Sequence, residues 1–228
     1  MDEKISTGSP LFDELLDGGY EKDVITTIYG PAGSGKTNMC LMTIASFPKN
    51  KKVIYIDTEG SFSLSRLKQI TNNYKSVMSR IIFFKPTNFD EQKKFFSKLK
   101  EIIKEDIGLI ILDTVAMLYR LEIGRSKDVY NVNKELGIQL SYLSEIARKK
   151  GTPVIITNQV YASFDNKDKV NMVGGDILKY SSKCLIELQN LDNVKRAILR
   201  KHRSLPDGKQ VFFRIVDSGV EEKEVSLL

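Results

Sequence analysis

The chain has 228 residues, of which 41% are hydrophobic, and 35 basic residues against 29 acidic ones give a net charge of +6. This length favours one sizeable α/β domain over two, and no apolar run is long enough to cross a membrane. Two cysteines and one histidine are too few for a disulfide framework or a histidine-based metal cluster, so we expect a reduced, cytoplasmic protein.

The first predicted elements are a short helix and a buried strand. The Ser-Pro pair at 9–10 places an N-cap before a proline at the first helical position, and the glycine pair at 18–19 predicts the end of that helix. The apolar, β-branched run over 24–29 predicts a strand, and the apolar run over 38–45 predicts a helix. The segment between these two runs therefore connects a strand to a helix.

That connecting segment fits the phosphate-binding pattern G-x-x-x-x-G-K-[ST]. Its glycines let the backbone curl so that successive N–H groups point at phosphate oxygens, and the following helix N-terminus adds partial positive charge. The lysine would reach the β- and γ-phosphates, and the threonine hydroxyl would bind Mg²⁺. A chance match in a chain of this length is on the order of one in a hundred, so the segment predicts nucleotide binding. The predicted phosphate-binding residues are Gly30, Pro31, Ala32, Gly33, Ser34, Gly35, Lys36 and Thr37.

Four further apolar runs predict the strands of a parallel sheet, because a sheet buried on both faces gives strands that are apolar throughout. They lie at residues 53–56, 81–84, 108–113 and 153–156. Helices are predicted between them at residues 65–74, 90–103 and up to about 149. Two polar loops are predicted as well, one near residues 120–127 and one over residues 163–171.

Three last runs, near the C-terminus, have no helices between them and should pair antiparallel. They cover residues 184–188, 194–200 and 210–216, with turn residues at 190–193 and 206–208. We therefore predict an α/β fold. Its sheet is mainly parallel and covered by helices on both faces, with antiparallel strands at its C-terminal edge. Residues 1–228 would form a single domain.

Polar residues follow three of the predicted strands, at the edge where such sheets bind ligands. Asp113 comes after four apolar residues and is predicted to hold Mg²⁺ together with Thr37. Glu59 could activate or position water at the γ-phosphate, and Gln159 could contact that phosphate. Each also has an ordinary alternative: a strand-end turn residue for Asp113, an exposed turn carboxylate for Glu59 and a loop-bonding amide for Gln159.

In this order and spacing, these residues resemble the core of the RecA-type strand-exchange ATPases, a family that includes the archaeal recombinase RadA and its short paralogues. Besides the glycine loop, the resemblance rests on I-S-T-G at 5–8, Y-I-D-T-E-G at 55–60, L-D at 112–113, T-N-Q-V at 157–160 and L-P-D-G at 205–208. It runs nearly from end to end. It implies a RecA-like P-loop NTPase core with ATP and Mg²⁺ as cofactors. It also implies DNA binding and an accessory role in homologous recombination and DNA repair, assisting a RadA-type recombinase.

The resemblance also implies a role for individual residues of the nucleotide site. The resemblance implies that Glu59 is the catalytic carboxylate and that Gln159 is the nucleotide-sensing amide. Lys36 is the third predicted catalytic residue. Arg66 matches an arginine that packs on adenine, and a planar guanidinium suits such stacking.

Two loops would face DNA by the same resemblance, and single-stranded DNA is the expected form, with double-stranded DNA as a further candidate. The second loop mixes aromatic and basic side chains, a combination that suits base stacking and phosphate contact. A merely solvated loop remains the alternative for it. The predicted DNA-binding residues are Arg120, Arg125 and Lys127 in the first loop and Tyr161, Phe164, Lys167 and Lys169 in the second.

The sequence also departs from the family pattern. We expect it to begin directly at the core, without an N-terminal helix-hairpin-helix domain, and it contains no Phe-x-x-Ala linker segment. Self-association stays open, but we expect no long autonomous filaments. Asp176 stands where strand-exchange members commonly carry a histidine, and Lys201 stands where many archaeal relatives have an aspartate. The lysine could reach a neighbour's phosphates or belong to a basic patch. These departures predict weak ATP hydrolysis that single-stranded DNA stimulates poorly.

Two other functions remain open. One is an autonomous DNA-dependent ATPase that carries out strand exchange. The other is a RecA-superfamily ATPase in which ATP acts as a conformational switch through its affinity difference between two states. A GTPase would need the guanine motif N-K-x-D, and residues 166–169 read N-K-D-K, with the aspartate in the wrong place.

Overall fold

A mainly parallel sheet forms the centre of the computed structural model, which describes residues 4–162 and 170–224. Beside it, β1 (Lys4–Ile5) and β2 (Tyr20–Glu21) form a small antiparallel pair. The strands of the main sheet are β3 (Ile25–Gly30), β4 (Lys52–Asp57), β5 (Ile81–Phe84), β6 (Ile107–Asp113), β7 (Val154–Ala162), β8 (Val170–Met172), β9 (Cys184–Asn190), β10 (Lys195–Lys201), β11 (Gln210–Val216) and β12 (Gly219–Glu222). The helices are α1 (Pro10–Leu15), α2 (Lys36–Ser46), α3 (Leu64–Ile70), α4 (Tyr74–Met78), α5 (Phe89–Ile102), α6 (Ala116–Arg125), α7 (Val129–Lys150) and α8 (Gly175–Ser181).

The strands follow one another in the order β12-β11-β10-β9-β3-β7-β6-β4-β5, and β8 pairs with β7. The pairings from β9 through β3, β7, β6 and β4 to β5 are parallel. The pairings among β9, β10, β11 and β12 are antiparallel. The predicted fold, a parallel sheet with an antiparallel C-terminal edge, is thereby confirmed.

Helices cover both faces of this sheet, so each face has its own apolar core. Alternate residues of β6 face opposite ways: Leu109 and Ile111 join the core under α1, α2, α3 and α4, while Ile110 and Leu112 join the core under α5, α6, α7 and α8. This alternation is the period of two that a strand dictates, applied to a strand that is apolar on both sides. It explains why the sequence of β6 shows no polar alternation.

One predicted helix is wrong as a single element. The segment predicted as a helix over 65–74 forms two helices, α3 and α4, separated at Thr71, whose backbone is extended with φ −149° and ψ 134°. The Thr71 hydroxyl accepts a hydrogen bond from the backbone N–H of Asn73 at 3.2 Å. Such a local side-chain bond competes with the helical hydrogen bonds, so the helix ends and restarts.

The predicted loop near 120–127 is also wrong in part. Arg120 and Arg125 lie on α6, and Lys127 lies in the short connection to α7. The helix forms because Leu118 and Tyr119 are buried in the second core, and the Tyr119 hydroxyl donates to Asn133 Oδ1 at 2.5 Å. Tertiary packing thus overrides the glycine and the charges in this segment.

Further strands lie outside the predicted elements. β7 runs on to Ala162 and pairs antiparallel with β8, which occupies part of the segment predicted as the second loop. β12 extends the antiparallel edge, and β1 and β2 are too short for a periodicity to be recognised.

No helix in the described ranges is both long and apolar enough to cross a membrane.

Truncating Phe213 to alanine tests the first core. The Phe213 ring is fully buried and packs edge-on against Phe12 with centroids 5.2 Å apart. We expect Phe213→Ala to lower the free energy of unfolding by about 3–5 kcal/mol, because it removes buried apolar contacts and leaves a cavity. Urea unfolding measures this, with Ile215→Ala, on the same strand and 37% exposed, as the control. An equal loss in both variants would contradict this account of the core.

Candidate nucleotide and nucleic-acid sites

The glycine loop lies between the end of β3 and the start of α2, as the motif requires. Gly33 and Gly35 have φ values of +71° and +106°, which favour glycine. Gly30 is required for a different reason: a Cβ atom there would lie 2.3 Å from the carbonyl oxygen of Leu188 on β9. The loop is therefore curled by its own glycines and closed from outside by a neighbouring strand.

Lys36 crosses this loop without a direct ion pair to any described residue, although the Glu59 and Asp113 carboxylates lie near enough to favour its charge. Its ammonium donates to the carbonyl oxygens of Gly30 and Pro31, both at 2.9 Å. Within the described ranges no carboxylate lies within ion-pair distance of it, and burial lowers the pKa of Lys36 from its usual value. Because α2 begins here without a capping side chain, its first N–H groups are also available to an anion. The donor set fits a polyphosphate.

Asp113, at the end of β6, accepts hydrogen bonds from the hydroxyl groups around the glycine loop. One of its oxygens accepts from Thr37 at 2.8 Å, from Ser61 at 2.8 Å and from Tyr55 at 2.7 Å. The other accepts from Thr157 on β7. Asp113 is only 1% exposed, so this bonding offsets the cost of burying a carboxylate.

Thr37 and Asp113 together fit Mg²⁺, which takes oxygen ligands and keeps waters and nucleotide oxygens in the rest of its shell. Among the described residues there is no cluster of three or more histidine, cysteine, aspartate or glutamate side chains suited to a metal ion. A cation at Asp113 would therefore depend on phosphate oxygens for much of its coordination. Sequence analysis assigned no role at this site to Tyr55, Ser61 or Thr157. Two of them lie in the family motifs, but no sequence pattern shows that a hydroxyl will donate to a distant carboxylate.

Glu59, after β4, meets Gln159 on β7. The Gln159 side-chain amide donates to Glu59 Oε1 at 2.8 Å, and the Thr114 hydroxyl donates to the same oxygen at 3.1 Å. Partial burial, more than any other cause, raises the pKa of Glu59, and the Asp113 carboxylate nearby adds to that rise. The structure thus brings Lys36, Glu59, Asp113 and Gln159 to one edge of the sheet, as their positions at strand ends predicted.

Two buried polar residues beside Glu59 hold its turn in place. The Asp57 carboxylate accepts from the backbone N–H of Ser61 at 3.0 Å and of Phe62 at 3.3 Å. The Thr58 hydroxyl donates to the carbonyl oxygen of Thr114 at 2.7 Å and accepts from its N–H at 3.0 Å. The Asp57 bonds close the turn that carries Glu59, and the Thr58 bonds tie the end of β4 to the residue that follows β6.

Arg66, predicted to pack on adenine, is held by several acceptors. Its guanidinium donates to Asn38 Oδ1 on α2 at 2.7 Å and to the carbonyl oxygens of Val216 at 2.6 Å and Gly219 at 3.0 Å, in the turn between β11 and β12. Burial lowers the pKa of Arg66. The arginine fixes that turn against α2 and α3, and its contact with adenine stays a prediction.

The first predicted DNA-facing segment is a basic surface on α6 and the following connection. Arg120, Arg125 and Lys127 are exposed. Exposed apolar and aromatic side chains accompany them, namely Met117, Leu121 and Tyr130, the last 77% exposed. Sequence analysis missed Tyr130, which follows the basic residues and suits base stacking.

The second predicted DNA-facing segment is described only in part. Tyr161 lies on β7 opposite Asn171 of β8. Phe164, Lys167 and Lys169 lie outside the described residues. The backbone N–H of Val173, just after β8, donates to the carbonyl oxygen of Gln159 at 3.3 Å. Gln159 thus belongs to both the nucleotide edge and the strand pair that carries this segment.

The two departures from the family pattern have local partners. Asp176 is exposed in the first turn of α8 and lies 3.7 Å from the Lys179 ammonium. Lys201 donates to the carbonyl oxygens of Lys179 at 2.6 Å and Ser182 at 2.8 Å, at the C-terminal end of α8. A cation at a helix C-terminus is stabilising, so Lys201 has a role inside its own chain.

Known proteins similar to this chain match it over almost its whole length. The Rad51 family model matches residues 3–223. A relative from Methanobrevibacter smithii, named DNA repair and recombination protein RadB, is 44% identical over 226 residues, covering 95% of both chains. A relative of the same name from Methanococcus maripaludis strain C7 is 41% identical over 214 residues, covering 92% of this chain and 97% of its own. A solved structure of the RadB recombinase has a TM-score of 0.82 and 36% sequence identity, covering 96% of this chain and 100% of that chain.

Replacing Glu59 by glutamine tests the electrostatics of the site. A carboxyl group whose pKa is raised by folding lowers stability as pH rises from its unfolded pKa through its folded pKa. Since burial raises the pKa of Glu59, Glu59→Gln should be at least as stable as the wild type at pH 7 and should lose part of the pH dependence above pH 4. Urea unfolding from pH 4 to pH 8 measures both. A variant clearly less stable than the wild type at pH 7 would contradict this reasoning.

Proposed function

The chain belongs to the Rad51 family, and from that premise we propose that it is an ATP- and DNA-binding accessory protein of homologous recombination and DNA repair. It would act in the cytoplasm beside a RadA-type recombinase. The observation that carries the proposal is the convergence of Lys36, Thr37, Glu59, Asp113 and Gln159 at one sheet edge. These are the groups that a nucleoside triphosphate with Mg²⁺ needs.

Nucleotide binding follows from the resting contacts of the glycine loop. The Lys36 ammonium donates to two neutral carbonyl oxygens. A phosphate oxygen can take their place as the acceptor, and the resulting hydrogen bond is stronger because both partners are charged. The N-terminus of α2 favours the same negative charge. Mg²⁺, bound by Thr37 and Asp113, would neutralise charge that develops on the phosphates during transfer to water.

Hydrolysis would be weak because hydrogen bonds from the protein already occupy one of the two carboxylate oxygens of Glu59. A carboxylate that positions water must offer a free oxygen to it. Here Gln159 and Thr114 both donate to Glu59 Oε1, and Glu59 Oε2 is left for water.

DNA would bind on the side of α6 and of the β7–β8 pair. Arg120, Arg125 and Lys127 supply phosphate contacts, and Tyr130 supplies a stacking ring. Gln159 joins this side to Glu59 through its backbone bond to Val173 and its side-chain bond to Glu59. The same link favours a second candidate function, a nucleotide switch in which ATP changes DNA or partner binding without turnover.

One titration tests the nucleotide half of the proposal. ATP turnover and single-stranded DNA binding are measured together at fixed salt for the wild type, Lys36→Ala and Glu59→Gln. We expect slow turnover that DNA hardly accelerates, loss of ATP binding in Lys36→Ala, and a turnover drop of about 10²–10⁴-fold in Glu59→Gln with ATP still bound.

The outcomes separate the candidate functions. Turnover that rises strongly with single-stranded DNA would contradict the accessory role and support an autonomous strand-exchange ATPase. Partner binding that persists in Glu59→Gln after hydrolysis is abolished would support the switch. A wild type that binds no ATP at all would overturn the proposal.

A charge-removal series tests the DNA half. Replacing Arg120, Arg125 and Lys127 by serine should weaken single-stranded DNA binding. It should also make the negative slope of log affinity against log salt shallower, by about 0.7 for each DNA phosphate that is no longer neutralised. The control removes three exposed lysines elsewhere, Lys49, Lys75 and Lys98. Fluorescence anisotropy at several salt concentrations measures both. An equal loss of affinity in the control would mean that net charge, rather than this surface, attracts DNA.

A further inference from the structure

The turn between β9 and β10 lies against the outer side of the glycine loop. Asn190 ends β9 and is paired in register with Lys195, which begins β10. The Asn190 side-chain amide donates to the carbonyl oxygen of Ala32 at 3.1 Å. The Lys195 ammonium donates to the carbonyl oxygen of Gly33 at 2.7 Å and to Asn190 Oδ1 at 2.8 Å. The two side chains therefore bind each other and two adjacent carbonyls of the loop.

Together with Lys36, they occupy four consecutive carbonyl oxygens of the loop. Lys36 holds those of Gly30 and Pro31 from one end, and the β9–β10 turn holds the next two, those of Ala32 and Gly33. A carbonyl oxygen carries negative charge and repels phosphate. Each of these oxygens is instead tied to a side-chain donor.

Holding a carbonyl also fixes the N–H group of the same peptide unit. The peptide is planar and trans, so its N–H points opposite to its C=O. The Ala32 carbonyl shares a peptide with the Gly33 N–H, and the Gly33 carbonyl shares one with the Ser34 N–H. Asn190 and Lys195 thereby set the direction of two peptide units of the loop. The Ser34 N–H donates to the carbonyl oxygen of Pro31 at 3.3 Å, so the peptide that Lys195 holds also closes the turn of the loop.

The charge of Lys195 is directed at the same loop. Its acceptors are both neutral, and no carboxylate in the described ranges lies within ion-pair distance of it. Partial burial lowers the pKa of Lys195, as expected for a cation without an acidic partner. Lys36 and Lys195 thus both donate to carbonyl oxygens of the glycine loop, and both add positive potential where polyphosphate would bind.

The turn itself is braced independently of this pair. The backbone N–H of Leu191 donates to the carbonyl oxygen of Val194 at 2.9 Å, and Arg214 on β11 donates to the carbonyl oxygen of Asn193 at 3.0 Å. The turn would therefore keep its shape without the Lys195 ammonium. Hydrogen bonds as exposed as those of Lys195 also contribute little to folding. Losing these hydrogen bonds should therefore change the conformation of the glycine loop more than the stability of the fold.

We propose that Lys195, held by Asn190, is a positioning residue of the nucleotide site that keeps the glycine loop in its phosphate-binding shape. This inference rests on the proposed nucleotide binding and adds to it a contribution from the C-terminal strands. Preorganising a loop raises affinity because less order has to be created on binding. The phosphates held by the loop are common to ATP and ADP, so both nucleotides benefit equally.

The test measures ATP and ADP affinity and the unfolding temperature without nucleotide, for a matched set of variants. The set is Lys195→Met, Lys195→Arg, Asn190→Ala, the double variant Asn190→Ala with Lys195→Met, and Lys209→Met as a control. Lys209 is an exposed lysine just before β11, so its removal changes net charge equally.

We expect Lys195→Met to weaken ATP and ADP binding by about tenfold each, the effect of removing one hydrogen bond to a charged group. Lys195→Arg should recover most of the affinity, and Lys209→Met should bind like the wild type. Asn190→Ala should weaken binding less than Lys195→Met, and the double variant should bind more weakly than Lys195→Met alone, because it also loses the Asn190 bond to the carbonyl oxygen of Ala32. The unfolding temperature without nucleotide should change by no more than about 2 °C.

Several results would overturn the inference. Wild-type affinity in Lys195→Met would show that the contact is inert. A loss of affinity confined to ATP would indicate direct contact with the γ-phosphate in place of positioning, and a large drop in unfolding temperature would indicate a role in the fold. These outcomes presuppose that the wild type binds nucleotide. If it does not, the proposed function fails and takes this inference with it.

Discussion

The buried carboxylate of Asp113 is the constraint around which the nucleotide edge is arranged. A charge with 1% exposure needs hydrogen bonds, and four hydroxyl groups from separate parts of the chain supply them. Thr37 lies at the start of α2, Tyr55 on β4, Ser61 in the turn after Glu59 and Thr157 on β7, so four separate elements contact Asp113. These hydrogen bonds act only at short range, so satisfying the buried carboxylate requires the four elements to meet at Asp113.

The antiparallel C-terminal strands pack against the glycine loop and also form one edge of the sheet. The carbonyl of Leu188 on β9 leaves no room for a side chain at Gly30, and Ile215 on β11 lies 3.2 Å from where a Cβ of Gly35 would be. Arg66 binds the β11–β12 turn to α2 and α3. The candidate nucleotide site therefore depends on strands far from it in sequence, and two lysines from separate parts of the chain, Lys36 and Lys195, bind its glycine loop.

The Glu59–Gln159 contact relates the nucleotide edge to the side where we propose that DNA binds. Gln159 lies midway along β7, whose first half is a buried parallel strand and whose second half pairs antiparallel with β8. A change in the β7–β8 pair would reach Glu59 through one backbone bond and one side-chain bond. This short path connects the two binding events that an accessory recombination protein would have to coordinate.

The sequence alone determined the main architecture and the chemistry of its principal site. Apolar runs of strand length and their spacing predicted the parallel sheet, and the glycine motif predicted Lys36 and Thr37 at a helix start. Asp113, Glu59 and Gln159 were recognisable because residues that end parallel strands must meet at one edge. Apolar runs, the glycine motif and strand ends are all short-range features of the chain, so a single sequence is enough to recognise them.

Only the tertiary structure decided which distant side chains complete the site. The break at Thr71 depends on one side-chain bond, and α6 forms because Leu118 and Tyr119 find a core to enter. Tyr55, Ser61 and Thr157 reach Asp113, and Asn190 and Lys195 reach the glycine loop, across separations of up to 162 positions in the chain. A hydrogen bond between residues so far apart depends on how the strands are ordered and aligned. That ordering is a property of the packed sheet, and no local pattern in the sequence records it.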